Sequence, residues 1–263
     1  MRIRFPRLLV IALAAAGCGA ATSVAVGATY VALGDSYSSG VGTGSYTLSS
    51  TCKRSVYAYP YLFASGRAGT SLTFLACTGA KTTDVLSNQV STQPPMPKAD
   101  VVTVTAGGND IGFSSLISQC VTSDCTAAIA SAKSWASTNL PGLLASLYGG
   151  IAAHLNTNAH VVVLGYPKLF PETKSCTTGI TVTEEKAAND LATTIDGLTG
   201  TAAAAYGNFT YKSAIAPFAG HDVCAGSKAW LNNLNLLNTS ESFHPNRTGH
   251  AQGYLPLVTA AVP

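Results

Sequence analysis

The stretch Thr29-Tyr30-Val31-Ala32-Leu33-Gly34-Asp35-Ser36-Tyr37-Ser38-Ser39-Gly40 decides the fold. Its start, Thr29 to Leu33, is an unbroken run rich in apolar and β-branched residues, which suits a strand covered on both faces. Small and polar residues follow at once. A serine just after such a strand, beside Gly34, sits on a sharp turn into a helix. That turn exposes the hydroxyl and aims backbone N–H groups of the helix start at the same point. Taken alone, Gly34-Asp35-Ser36 is better explained as a helix cap in an ordinary loop, so the rest of the chain has to decide.

Working outward, four more runs of the same kind follow: Leu72 to Ala76, Val101 to Thr105, His160 to Leu164 and Phe209 to Ile215. Helical patterns lie between them. Leu140, Leu143, Leu144, Leu147, Ile151 and Leu155 share one face at three- and four-residue spacings, as do Leu191, Ile195 and Leu198. Thr181, with Glu184 three residues on, forms a capping box ahead of the second pattern. Strands alternating with helices predict an α/β chain: a three-layer α/β/α sandwich around a central, mostly parallel sheet. No repeat, linker or charge run divides it, and Gln93-Pro94-Pro95-Met96-Pro97 reads as a loop into a strand. In such sheets chemistry sits at the carboxyl ends of the strands.

Those ends are informative. The second strand runs into Cys77-Thr78-Gly79-Ala80 and the third into Gly107-Gly108-Asn109-Asp110. Glycines let the backbone approach a ligand closely, and Asn109 offers a neutral NH₂ donor. A fixed, uncharged donor is what a developing oxyanion needs. Near the C-terminus stands Ser242-Phe243-His244-Pro245-Asn246. Pro245 suits a helix entry and holds His244 there, whereas His154, His160, His221 and His250 read as structural or solvated. Asp35, Asp84 and Asp110 lack the His or carboxylate neighbours that a metal site would need. Gly40-Val41-Gly42-Thr43-Gly44 departs from a nucleotide fingerprint and reads as a flexible loop lining a cleft. Tyr37, Tyr46, Tyr57, Tyr59 and Tyr61 offer apolar surface for an acyl chain near the cleft entrance, while Phe63 reads as core.

Composition sets the compartment and the partners. Of 263 residues, 47% are hydrophobic and 10% charged, too apolar for a disordered chain. Arg2, Arg4 and Arg7 precede the apolar run Leu8 to Ala16, which is too short to span a bilayer, and Val26-Gly27-Ala28 suits a signal peptidase. Residues 1–28 are therefore expected to be a secretory signal peptide and 29–263 one domain, secreted and extracellular. Those three arginines account for the excess of 15 basic over 12 acidic residues. The mature chain is then neutral, which argues against nucleic acid as a partner. Of seven cysteines, Cys18 leaves with the signal; a lipid anchor there would need a leucine three residues earlier, where Ala15 stands. The remaining six, Cys52, Cys77, Cys120, Cys125, Cys176 and Cys224, suggest three disulfides. Fifteen pairings are open, and local loop closure favours Cys120–Cys125. No Cys-x-x-Cys pair points to zinc.

Ser36, Gly79, Asn109 and His244, in that order, resemble the four marker residues of the SGNH (GDSL) hydrolases. The fuller runs Tyr30 to Gly40, Cys77 to Ala80, Val163-Leu164-Gly165-Tyr166-Pro167 and Phe243-His244-Pro245 resemble extracellular lipases and esterases of Streptomyces-type actinomycetes. The resemblance implies a flavodoxin-like sandwich, Ser36 as nucleophile and His244 as general acid and base. It places the backbone N–H of Ser36, that of Gly79 and the side-chain amide of Asn109 in an oxyanion hole. It also implies sequential disulfides, Cys52–Cys77, Cys120–Cys125 and Cys176–Cys224. Many relatives carry an aspartate three residues before the histidine; here Glu241 stands there. The imidazole is then oriented by the main-chain carbonyl of Ser242, which the actinomycete branch favours, or by the Glu241 carboxylate. The expected activity is hydrolysis of carboxylic esters, lipid or small, extending to phospholipids, by a monomer without cofactor, metal or stable membrane anchor. A carbohydrate deacetylase and a binding protein that has lost catalysis are the alternatives.

Overall fold

The computed structural model describes residues 27–91, 98–155 and 158–262. The signal segment up to Val26, Cys18 and the proline cluster lie outside the described residues. Five strands, β1 (Thr29–Gly34), β2 (Ser71–Phe74), β3 (Val101–Thr105), β4 (His160–Leu164) and β5 (Phe209–Lys212), form one sheet in the order β2-β1-β3-β4-β5. Every pairing is parallel, with Val31 opposite Val102 and Thr103 opposite Val162. β1, β3 and β4 are almost entirely buried, which is why their sequences show no alternation. β5 ends at Lys212 rather than Ile215.

The helices are α1 (Ser36–Ser39), α2 (Tyr59–Ser65), α3 (Thr82–Asp84) running into a wide turn at Val85–Val90, α4 (Phe113–Thr122), α5 (Thr126–Ala153), α6 (Val182–Ala203) and α7 (Leu255–Thr259). In this strand order, right-handed crossovers send α2 to one face and the connections after β2, β3 and β4 to the other. The contacts agree: α5 packs on α6 and on Val85–Val90, while α2 packs on α7. The result is the three-layer α/β/α sandwich expected from the sequence. On α5 the leucine stripe buries Leu140, Leu144, Leu147 and Ile151 completely. α6 begins with the capping box: Thr181 Oγ1 accepts from Glu184 N–H, and the Glu184 carboxylate accepts from Thr181 N–H.

The chain reverses direction across the sheet between β1 and β3, so their carboxyl ends flank the crevice where such sheets hold ligands. Ser36 and Asn109 follow these two strands. Three disulfides, Cys52–Cys77, Cys120–Cys125 and Cys176–Cys224, fasten loops at this edge.

Candidate active site

Gly34 makes the turn into Ser36 possible. Its φ of +120° is left to glycine, and a Cβ there would meet Thr105 O at 2.4 Å. Asp35 then caps α1, accepting from Tyr37 N–H at 2.9 Å. Buried Gln89 locks the turn from below, accepting from Gly34 N–H at 2.8 Å and donating to Gly34 O at 2.9 Å. Ser36 thus stands on a fixed elbow at the first position of α1, and its own N–H has no acceptor among the described residues.

Across the crevice, His244 Nε2 lies 2.9 Å from Ser36 Oγ, and His244 Nδ1 lies 2.9 Å from Ser242 O. The carbonyl fixes the tautomer: Nδ1 carries the proton it donates to Ser242 O, and Nε2 is left to accept from the serine. Glu241, the other candidate orienter, does not fill that role. Its carboxylate accepts from Tyr46 O–H at 2.7 Å, because residues 239–241 form a short helical turn that carries the side chain towards residues 44–46. Glu241→Gln should therefore leave kcat/KM within about threefold of wild type, since it alters one partly exposed hydrogen bond. A loss of a hundredfold or more on a soluble ester would return the orienting role to Glu241.

The loop before His244 is strained and held. Phe243 has a φ of +62°, rare for a bulky residue and sustained only by its surroundings. Tyr37 O–H donates to Phe243 O at 2.7 Å, and Phe243 N–H donates to Asn232 O at 2.9 Å. Gly42 backs the imidazole: a Cβ there would sit 2.9 Å from His244 Cβ. The Gly40–Gly44 loop is therefore a packed support behind His244 and does not line the cleft.

The side where the oxyanion donors are expected is built by the loops after β2 and β3. Asn109 Nδ2 donates one hydrogen to Ala80 O at 3.0 Å, and its other hydrogen has no acceptor among the described residues. Gly79, next to Ala80, has a φ of +79° and an N–H with no acceptor among the described residues. Asn109 and Ser36 both line the cleft; Gly79 reaches the same edge through the Ala80 contact. Asp110 binds Thr82 N–H and O–H, and Asp84 binds Lys81 N–H, so both carboxylates are spent on the α3 start. A link that local sequence does not reveal runs beneath. Gly108 N–H donates to the Tyr166 phenol oxygen, Oη, at 3.2 Å, and the same hydroxyl donates its hydrogen to Asp35. Asp35 also accepts from Thr105 O–H at 2.7 Å. This chain ties the Asn109 loop to the Ser36 turn. The only hint in the sequence is that Gly165-Tyr166-Pro167 closes a fourth strand at the same edge.

A cavity of about 270 Å³ opens on Ser36 and His244. Its walls are mainly apolar: Phe113, Ile117 and Val121 from α4, Leu169, Ile195 and Leu234. Of the aromatics expected there, only Tyr37 contributes. Tyr59 and Phe63, four apart, face the core from α2, and Phe63 meets Tyr30 edge-on at 5.2 Å. Tyr57 lies under Arg247, Tyr46 is held by Glu241, and Tyr61 stays at the surface.

Electrostatics follow from burial. Desolvation pulls the His244 imidazole down to about 4, overriding the Ser242 carbonyl, which raises it; Lys53 lowers it further, and Glu241 raises it. Burial lifts the Asp35 carboxyl to about 6, although Tyr166, Thr105 and Tyr37 N–H pull the other way. A base works only while unprotonated, and kcat/KM reports the free enzyme. Activity should therefore fall with acid through about pH 4 rather than at the ordinary 6.5. A kcat/KM profile on a soluble ester checks this, and an acid limb near 6.5 would mean a hydrated imidazole. For this group, a folded-state value below the unfolded one means that stability falls as pH drops from 6.5 towards 4, because only the unfolded chain takes up the proton.

A parallel α/β/α sandwich, with a serine–imidazole pair beside its switch point and an apolar cleft leading to that pair, is the frame of a carboxylic ester hydrolase. The sequence model of the GDSL-like Lipase/Acylhydrolase family matches residues 32–252, and the chain belongs to that family. It is 42% identical to Lipase 1 of Streptomyces coelicolor, over 98% of this chain and 97% of that protein. It is likewise 42% identical to a lipase of Streptomyces rimosus, over 97% and 95% of the two chains. Among solved structures, phospholipase A1 from Streptomyces albidoflavus superposes with a TM-score of 0.83 at 38% identity, covering 89% of this chain and 99% of that one. The extracellular lipase from Streptomyces rimosus gives 0.83 at 40% identity with the same coverages.

Proposed function

We propose that this enzyme is a secreted serine esterase that cleaves acyl esters through an acyl-enzyme on Ser36. Nε2 of His244 takes the Ser36 proton as Oγ bonds to the carbonyl carbon. The electron pair moves to the carbonyl oxygen, which is received by the N–H groups of Ser36 and Gly79 and by Asn109 Nδ2. The tetrahedral adduct collapses, the bond to the leaving oxygen breaks, and His244 returns the proton to the departing alcohol. Water then repeats the sequence, again with His244 as base, and releases the acid. The Ser242 carbonyl holds the imidazole; it stabilises the imidazolium less than a carboxylate does, which leaves more of the work to the oxyanion donors.

The observation that carries this reading is the 2.9 Å contact between His244 Nε2 and Ser36 Oγ at the floor of an apolar cleft. The apolar walls favour an acyl chain over a carbohydrate. Secretion is proposed from the segment 1–28, read as a cleaved signal, and fits the disulfide-bonded fold. No helix among the described residues is long and apolar enough to cross a membrane. The test is a hydrolysis profile over p-nitrophenyl esters from acetyl to palmitoyl, with a phospholipid alongside and Ser36→Ala as blank. Turnover should extend to acyl chains beyond acetyl. Turnover of acetyl esters alone would replace this reading with a deacetylase, and the absence of a fluorophosphonate adduct on Ser36 would remove the acyl-enzyme.

A further inference from the structure

We propose that Leu236 and Leu237, at the tip of the 232–243 hairpin, form an anchor that seats the mouth of the cleft on an aggregated lipid surface. The inference rests on the ester-hydrolase reading of the cleft and concerns how that cleft meets its substrate. The hairpin is closed at its base by Asn232 N–H to His244 O and Phe243 N–H to Asn232 O, each 2.9 Å. At its far end Leu236 is 73% exposed and Leu237 99%, the highest values among the large exposed hydrophobics of the described residues. Single exposed leucines are ordinary on protein surfaces. Two in succession at the rim of an apolar cleft mark a place where something apolar docks.

Their exposure is built rather than incidental. Asn235 Oδ1 accepts from Leu237 N–H at 3.0 Å and Asn238 N–H at 3.2 Å, and Ser240 O–H donates to Asn238 Oδ1 at 2.8 Å. Asn235 N–H donates to Ser242 Oγ at 2.8 Å. The turn thus holds the leucines outward and is bonded to the residue whose carbonyl faces His244. The tip and the imidazole belong to one framework, so a surface that takes the tip also fixes the cleft against itself.

A lipid surface fits better than a protein partner. Leu236 lines the cleft as well as the tip, so apolar surface runs from Leu237 in water to the walls above Ser36. A protein seated there would cover the mouth, whereas a lipid layer would feed an acyl chain into it. Leu236 and Leu237 and their neighbours from Leu234 to Asn238 carry no charge, so the leucines enter an interface without taking an ion with them. The cation of Lys53 donates to Ser240 Oγ at 2.6 Å, at the base of the tip.

Leu237 is the residue to test, because it lies outside the cleft wall. Leu237→Ser should lower partition of the enzyme onto vesicles of an ether-linked phosphatidylcholine, which holds no ester to cut, by about tenfold, as expected for removing one inserted leucine. Because the inserted leucines are uncharged and Lys53 sits at the base of the tip, the tenfold difference between wild type and Leu237→Ser should persist at high salt. Activity on dissolved p-nitrophenyl butyrate should stay within about twofold of wild type. Leu237→Trp should restore partition, and its fluorescence should shift to the blue on adding vesicles. Unchanged partition in Leu237→Ser, or no blue shift in Leu237→Trp, overturns the anchor while leaving the esterase reading intact. Loss of self-association in Leu237→Ser, seen by sedimentation, would make the tip a contact between copies and also overturn it. Failure of the wild type on dissolved butyrate would instead strike the esterase reading itself.

Discussion

Removing Ser36 and His244 together should cost no more than removing either one: each single variant and the double variant should lose on the order of 10⁵- to 10⁶-fold in kcat/KM. The reason is chemical dependence. A serine hydroxyl at its ordinary acidity is a poor nucleophile, and Ser36 becomes a good one only as Nε2, 2.9 Å away, takes its proton. Without His244 the hydroxyl is present but unactivated, and without Ser36 the base has nothing to activate. Both alanine variants lose the same step and fall back on what the oxyanion donors alone can do, on the order of 10³- to 10⁴-fold over water. Steady-state kinetics on one p-nitrophenyl ester decides the matter, with circular dichroism to show that each variant folds. A double variant that loses the product of the single effects would mean that the two residues act in separate steps, and the shared proton transfer would be wrong.

How much of this was legible in the sequence differs by feature, for physical reasons. The sheet was legible because strands buried on both faces need continuous apolar runs, and Val101–Thr105 and His160–Leu164 are such runs with their ends correctly marked. The leucine half of α5 showed its stripe, but its first half did not. Thr126 to Asn139 buries Ile129 and Ala136 and is otherwise alanine, serine and polar residues, helical by propensity more than by pattern. The helix also continues through Pro141, a residue that usually signals an end. Ser36 and Asn109 could be found because each follows a strand. His244 was found although Pro245 does not open a helix: Pro245 pairs with Leu231 in an antiparallel bridge, and the helical residues begin only at 247. Their union rested on order along the chain, which only the family resemblance could interpret. Tyr166 was missed because its function is a hydroxyl with partners 58 and 131 residues away, and no local spacing encodes that. The acyl wall was misassigned for a related reason. Aromatics near the nucleophile in sequence look like cleft residues, yet Tyr59 sits on the core face of α2 beside Phe63, which does read as core, and the wall comes largely from α4.

Asn109→Ala should lower kcat by about 10²- to 10³-fold, the usual effect of deleting one oxyanion donor and equivalent to roughly 3–4 kcal/mol at the transition state. KM should change little, because the amide meets a full negative charge only after the serine has attacked. The side chain also has a structural task, its 3.0 Å hydrogen bond to Ala80 O, and the two tasks separate by size. Losing that bond costs on the order of 1 kcal/mol of stability, about 2–4 °C in Tm for a domain of this length, far short of the kinetic loss. Wild-type kcat in Asn109→Ala would remove Asn109 from the mechanism. A raised KM at unchanged kcat would make it a ground-state contact. Asn109→Asp sharpens the point, since it keeps the shape and reverses the chemistry. Its carboxylate offers no hydrogen to Ala80 O and sets a negative charge where the oxyanion forms. It should therefore be slower than the alanine variant at pH 7. If it were faster, the oxygen of the Asn109 amide, rather than its nitrogen, would have to face the reacting carbonyl.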